Sequence, residues 1–114
     1  EGYVTYSNEA KQRLVHVKAE TLERFGAVSE ETAREMAAGA AKAAGSDVAI
    51  SATGIAGPGG GTKETPVGTV FMGCCYKGKA IAKEFHFTGN RTRIREQTTA
   101  HALAMLRDCI IMSR

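Results

Sequence analysis

The spacing of apolar and polar residues divides the chain into helical and strand-like segments. Ser7 is placed to cap a short helix predicted from about Asn8 to Val15, and a second helical segment is predicted over residues 19–24. The clearest helix begins near residues 28–31 and ends at Gly45, because small apolar side chains recur on one of its faces. Residues 91–112 close the chain as an amphipathic helix.

Strand-like composition occurs in four places. Residues 2–6 are β-rich at the start of the chain, and residues 47–53 read as a buried central strand. Residues 67–76 and 79–87 flank Lys77-Gly78, a two-residue connection typical of a β-hairpin. This order predicts an α/β fold: a three-layer α/β/α domain over residues 1–114 with a mixed β-sheet. Because strand composition begins at the second residue, we expect an N-terminal helix and strand of the domain to lie upstream.

Composition narrows the class of protein. At 114 residues and 43% apolar content, the chain has room for one core. A net charge of +3 is spread along the chain and aromatic residues reach only 6%, which argues against nucleic acid as a partner. The sequence contains no run long enough for a membrane span and no signal peptide, so we expect a cytoplasmic protein. The three cysteines indicate reduced thiols, and the scattered histidines predict no metal site.

A glycine-rich stretch follows the predicted central strand, at residues 54–66. It holds both prolines of the chain and begins where a strand ends, a position at which α/β sheets place ligands. Its backbone N–H groups could hold a phosphate or an oxyanion. It matches neither the Walker nor the Rossmann pattern, and a mobile connecting loop is the alternative interpretation.

Tyr6 and Lys11 lie just before and within the first helix, close to the same predicted sheet edge. A lysine whose pKa is lowered can act as a base and activate a hydroxyl, although a lysine at such a position is more often a solvated surface residue. Ser7 is a poor nucleophile because its position favours helix capping. Arg91 could reach an anionic substrate at the start of the last helix, or could lie in water.

Four motifs occur in order along the chain: VTYSNEAK at 4–11, ETLERFGAVS at 20–29, TGIAGPGGG at 53–61 and PVGTV at 66–70. Together they resemble the C-terminal domain of the CinA family of competence/damage-inducible proteins. The resemblance covers essentially the whole chain. It implies an amidohydrolase that converts nicotinamide mononucleotide to nicotinate mononucleotide and ammonia in pyridine nucleotide salvage, without a metal or redox cofactor.

The resemblance also implies roles for individual residues. The family's catalytic lysine and tyrosine fall on Lys11 and Tyr6, and Arg91 is assigned as its arginine, after a turn that has Asn90 where Asp is usual. The substrate-binding residues predicted on this basis are Asn8, Thr53, Gly54, Ile55, Ala56, Gly57 and Pro58.

The family carries a nucleophilic serine upstream of the Tyr6 segment, after a Ser-Cys-Thr-Gly-Gly motif, and this chain contains neither. We therefore expect a complementing N-terminal segment to supply the serine, and this chain alone to be inactive. Homo-oligomers and a fused N-terminal domain are further expectations from the family. The alternatives are a nucleotide-binding or regulatory module that breaks no bond, and a purely structural domain, which would leave the glycine-rich stretch unexplained.

Overall fold

A computed structural model describes residues 1–112 of the chain. Its elements are α1 (Asn8–Val15), α2 (Ala19–Phe25), α3 (Glu30–Ala44), β1 (Val48–Gly54), β2 (Thr69–Tyr76), β3 (Lys79–His86) and α4 (Arg91–Met112). The helix boundaries follow from local chemistry. Ser7 and Ser29 accept N–H bonds at the starts of α1 and α3, and Gly45 ends α3 in the left-handed conformation. The predicted helices are confirmed to within one or two residues.

The described strands form one antiparallel sheet in the order β1-β2-β3. Lys77 and Gly78 both have positive φ, as a tight hairpin turn requires, so the predicted hairpin between β2 and β3 is confirmed. The prediction of a mixed sheet is wrong for these strands. The glycine-rich connection between β1 and β2 reverses the chain without a crossover helix, and parallel pairing needs a crossover.

The opening segment is not a strand, contrary to the prediction for residues 2–6. It lies beside β1 without forming a ladder, and the Thr5 carbonyl is turned towards the Lys11 ammonium group. Strand composition favours extended backbone, but a strand also needs a partner edge in register. Among the described residues, the outer edge of β1 therefore has no neighbouring strand.

Helices cover both faces of the sheet, so the predicted α/β class and three-layer arrangement are confirmed. Successive residues of β2 point to opposite faces: Met72 and Cys74 pack with the apolar side of α4, whereas Cys75 packs with Ala37 and Ala41 of α3. Helices α1 and α2 lie on the outer side of α3, around a smaller cluster that contains Val15 and other apolar residues.

Two glycines allow unusually close approach between these layers. A Cβ atom on Gly39 of α3 would overlap the backbone carbonyl of Val15 at the end of α1. A Cβ atom on Gly73 of β2 would overlap the Ala33 carbonyl of α3. The absence of side chains at these two positions sets how closely α1 lies on α3 and how closely α3 lies on the sheet.

Candidate active site

A cleft of about 880 Å³ runs along the outer edge of β1. Its floor is β1, one wall is formed by α3 with the opening segment, and the other wall is formed by α4. Its volume is in the range that holds nucleotide-sized ligands. The charged residues among those that line it are Glu1, Lys11 and Arg95.

Lys11 enters this cleft from α1 and is only 6% exposed. It lies one helical turn before Val15, and these two are the buried residues of α1. The Nζ atom donates a hydrogen bond of 2.6 Å to the Thr5 carbonyl. The interpretation of Lys11 as a solvated surface lysine is therefore wrong, and its amine is held at a fixed place in the cleft.

Burial changes the acid–base chemistry of Lys11. Desolvation disfavours the ammonium form and lowers the pKa of Lys11 below its ordinary value of 10.5. No carboxylate lies within ion-pair distance of Nζ in the described part of the chain, so no anion offsets this effect. The neutral amine, which can accept a proton, is thus more accessible near neutral pH than in a surface lysine.

Tyr6 and Asn8 flank the start of α1 differently. Tyr6 lines the cleft beside Lys11 and is 83% exposed. Asn8 is the first residue of α1, is exposed, and lies outside the cleft wall within the described residues. The structure therefore brings Tyr6 and Lys11 to one cleft and leaves Asn8 beside it.

Some polar groups at the start of the glycine-rich stretch already form hydrogen bonds within the fold. Thr53 donates its hydroxyl to the Ala27 carbonyl, and the Ile55 N–H donates to the Thr69 carbonyl. Thr53, Gly54 and Ala56 line the cleft, whereas Ile55, Gly57 and Pro58 lie outside its wall in residues 1–112. The Ala56 N–H has no acceptor in that range, so it is one of the donors of this stretch that remain open to a ligand, and it belongs to a residue that lines the cleft.

Arg91 is held against the glycine-rich stretch rather than in the cleft. Its guanidinium donates a hydrogen bond of 2.9 Å to the Gly57 carbonyl, 34 residues earlier in the chain. Arg91 does not belong to the described cleft wall. This contact joins the start of α4 to the stretch that follows β1 and orients the backbone next to Ala56.

Arg95 lines the cleft one helical turn after Arg91, together with Thr98 and Thr99. We did not predict these residues as part of a site. The signal that could have found them is the spacing 91, 95, 98 on a helix, which places side chains on one face. The spacing alone does not say what this helix face packs against. Only the position of α4 over the sheet edge shows that part of the face lines a cleft.

Every serine in residues 1–112 has a structural hydrogen bond. Ser7 and Ser29 cap helices, and Ser46 donates to the Val48 carbonyl. Ser51 lines the cleft, but its hydroxyl donates to the Ala33 carbonyl over 2.6 Å and accepts from the Gly73 N–H. Among the described residues, none of these hydroxyls is available as a nucleophile beside Lys11.

The described residues contain no group of three or more metal-ligating side chains. Over the same residues, none of the helices has the length and apolar character that crossing a bilayer would require. The thiols of Cys74 and Cys75 are buried and that of Cys109 is half-buried, and all three are free.

The geometry defines a class of protein: an α/β domain in which a buried lysine and a glycine-rich stretch face one cleft at a sheet edge. The family model described as "CinA C-terminal domain" matches residues 1–110. The chain belongs to the CinA C-terminal domain family.

Individual relatives agree with this assignment. The chain is 57% identical over 107 residues to a putative competence-damage inducible protein of Clostridium novyi, covering 94% of this chain and 26% of the relative. It is similar to the crystal structure of the competence/damage inducible protein CihA from Agrobacterium tumefaciens, with TM-score 0.91 and 43% identity over 99% of this chain and 68% of that one. It is also similar to the crystal structure of the competence damage-inducible protein A (ComA) from Klebsiella pneumoniae, with TM-score 0.88 and 38% identity over 94% of this chain and 66% of that one.

The chain spans about a quarter of the length of the curated relatives that it matches, 26% for the Clostridium novyi protein. The names of these relatives refer to competence and damage induction and to no reaction.

Proposed function

We propose that this chain is part of an amidohydrolase that deamidates nicotinamide mononucleotide to nicotinate mononucleotide and ammonia, in pyridine nucleotide salvage in the cytoplasm. The single observation that carries the proposal is the burial of the Lys11 amine in the cleft. Its amine is 6% exposed, is held at one place in a nucleotide-sized cleft, and has a pKa lowered by burial. These are the properties that a general base for a hydroxyl nucleophile needs.

The proposed reaction proceeds through an ester of a serine. Neutral Lys11 takes the proton of the serine hydroxyl, and the serine oxygen attacks the carboxamide carbon of the substrate. The tetrahedral intermediate collapses as the C–N bond breaks, and the leaving nitrogen takes the proton from Lys11 to depart as ammonia. A water molecule, deprotonated by Lys11, then attacks the ester, and the serine oxygen recovers that proton from Lys11 as the ester C–O bond breaks. The carboxylic acid so formed releases its own proton to solvent and leaves as the carboxylate.

Other residues of the cleft support these steps. In this proposal the Ala56 N–H donates to the developing oxyanion; Ala56 lines the cleft, and the hydrogen bond from Arg91 to the Gly57 carbonyl holds the neighbouring backbone. Tyr6 lines the same cleft as Lys11, and in this proposal its hydroxyl orients the substrate or relays a proton. The proposed steps use no metal and no redox cofactor.

The nucleophile in this proposal comes from a complementing N-terminal segment. The serines of residues 1–112 are engaged in structural hydrogen bonds, so in this proposal the hydroxyl that Lys11 activates comes from outside these residues. The relatives and solved structures contain additional chain beyond the part matched here. A fused N-terminal domain and a homo-oligomer are further parts of the same proposal.

The test is ammonia release from nicotinamide mononucleotide. It compares this chain alone, a form extended through the upstream serine, and the extended form with that serine changed to alanine. We expect turnover by the extended form only, with product confirmed as nicotinate mononucleotide. Turnover by the serine variant would contradict the mechanism, and no turnover by any form would contradict the proposed function.

A nucleotide-binding or regulatory module is the second candidate. The observation that favours it is that the described serines all have structural partners, so the chain has a ligand-sized cleft without its own nucleophile. Binding of nicotinamide mononucleotide by the extended form without ammonia release would select this alternative.

A further inference from the structure

We infer that Arg95 is the residue of this cleft that binds the phosphate of the nucleotide, so that it selects a phosphomonoester over the corresponding nucleoside. This inference rests on the proposed function and concerns substrate selection by the same cleft. It differs from the sequence-based assignment, which gave the anion to Arg91.

The arginines of residues 1–112 differ in whether they have partners. Arg13, Arg34 and Arg107 form ion pairs with neighbouring carboxylates, and Arg24 lies over the Phe25 ring. Arg91 is hydrogen-bonded to the Gly57 carbonyl.

Apart from Arg24, whose contact is the Phe25 ring, Arg93 and Arg95 are the arginines whose guanidinium groups have neither a hydrogen bond nor an ion pair with any other described residue. Both are exposed. Of these two, Arg95 lines the cleft and Arg93 does not. Arg95 is therefore the free guanidinium that faces the proposed substrate.

The remaining charged groups of the cleft are poor ligands for an anion. Glu1 is itself anionic and accepts the Tyr3 hydroxyl. Lys11 donates to the Thr5 carbonyl and serves the reaction in its neutral form. The neighbouring hydroxyls of Thr98 and Thr99 donate to the carbonyls of Ile94 and Arg95, so their protons are already used.

The chemistry of Arg95 fits a phosphomonoester. A guanidinium presents paired N–H donors that match two phosphate oxygens, and such charge-assisted bonds are stronger than neutral ones. Arg95 lies on α4 and Lys11 on α1, on opposite walls of the cleft, so one group would hold the phosphate end while the other acts on the carboxamide end.

The test uses the extended, serine-containing protein and compares Arg95→Gln with Arg93→Gln. The control removes the same charge from the same helix but outside the cleft wall. The substrates are nicotinamide mononucleotide and nicotinamide riboside, which lacks the phosphate. We expect the wild type to prefer the mononucleotide, and Arg95→Gln to lower kcat/KM for the mononucleotide by about tenfold to a hundredfold. The riboside should be unaffected, and Arg93→Gln should behave as wild type.

An unchanged preference in Arg95→Gln would overturn the inference. Calorimetric binding of nicotinamide mononucleotide and of the riboside to the same variants separates this inference from the proposed function. If the wild type binds but hydrolyses neither compound, the proposed function fails. In that case, a stronger affinity for the mononucleotide than for the riboside, lost in Arg95→Gln, would still support the role of Arg95. Equal affinities of wild type and Arg95→Gln for the mononucleotide would overturn that role. It would also be overturned if the wild type bound the mononucleotide no more tightly than the riboside.

Discussion

At the scale of single residues, Lys11 combines burial with an amine that has one hydrogen-bond acceptor, the Thr5 carbonyl. A methionine has a similar length and no charge, so Lys11→Met preserves packing and removes the base. We expect this change in the extended protein to lower kcat for ammonia release by at least a factor on the order of 10³, with the fold retained by circular dichroism. Wild-type turnover by a folded variant would remove Lys11 from the mechanism.

The same residue predicts a pH profile. The reaction needs neutral Lys11, and burial lowers the pKa of Lys11 below 10.5. We expect kcat/KM to rise with pH along a limb whose midpoint lies below 10.5, measured as initial rates of ammonia release. A midpoint at or above the ordinary lysine value would show that the burial seen here does not tune the base.

Thr69 is a second residue whose chemistry predicts a measurable effect. It is 2% exposed, and its hydroxyl has no hydrogen-bond partner among the described residues. Thr69→Val removes this unpaired group at nearly constant volume, so we expect unfolding free energy to rise by about 1 kcal/mol in urea titrations. The matched control is Thr32→Val, which removes a hydroxyl that donates to the Gly26 carbonyl, and this change should lower stability by about 1 kcal/mol. Equal effects of the two changes would contradict the explanation.

At the scale of elements, the contact of α1 with α3 decides where Lys11 lies. Gly39→Ala would place a methyl group on the Val15 carbonyl, so α1 would have to move away from α3. We expect a loss of about 3 kcal/mol in unfolding free energy, together with reduced turnover by the extended protein. Gly59→Ala is the control, because a Cβ atom there meets no atom within 4 Å. A stable Gly39→Ala variant would show that the two helices can separate without cost.

The elements also show which parts of this fold could be predicted from sequence. Helix caps at Ser7 and Ser29 and the Lys77-Gly78 turn are encoded locally, and each was predicted close to its observed place. Residues 2–6 have strand composition, but whether they pair depends on an edge contributed by distant residues. Local sequence carries no information about that edge.

The residues of the candidate site also differ in whether local sequence could predict them. The positions of Lys11 and Tyr6 followed from a motif next to a helix start, whereas the side-chain partner of Arg91 and the cleft position of Arg95 depend on how α4 crosses the sheet. The sequence predicts that backbone N–H groups of the glycine-rich stretch hold a ligand, but not which ones. The Ile55 N–H donates to the Thr69 carbonyl of the sheet, whereas the Ala56 N–H has no acceptor among the described residues.

At the scale of the whole molecule, two buried groups give stability opposite dependences on pH. The pKa of Lys11 is lower in the folded chain than its ordinary value of 10.5. Between these two values the unfolded chain binds more protons than the folded chain, so stability rises with pH across that range. Burial and the neighbouring Cys109 raise the pKa of Cys74 from 9.0 to about 12, so the folded chain binds more protons there and stability falls with pH above 9.0.

We therefore expect the Lys11 contribution to raise unfolding free energy up to pH 10.5 and the Cys74 contribution to lower it above pH 9.0, so that a net decline is expected above pH 10.5. Denaturant titrations from pH 7 to 11 on the wild type, Lys11→Met and Cys74→Ala separate the two contributions. Lys11→Met should flatten the rise and Cys74→Ala the decline. If unfolding free energy still rose and declined with pH in both variants as in the wild type, groups other than Lys11 and Cys74 would be responsible.

The bare outer edge of β1 affects how the isolated chain behaves at high concentration. Its unpaired N–H and C=O groups form a template on which a second β1 can add, and exposed edges of this kind drive aggregation. Two copies joined at this edge would close both clefts. Sedimentation should then show association that grows with concentration, and a peptide able to pair with β1 should reverse it and keep the protein in solution.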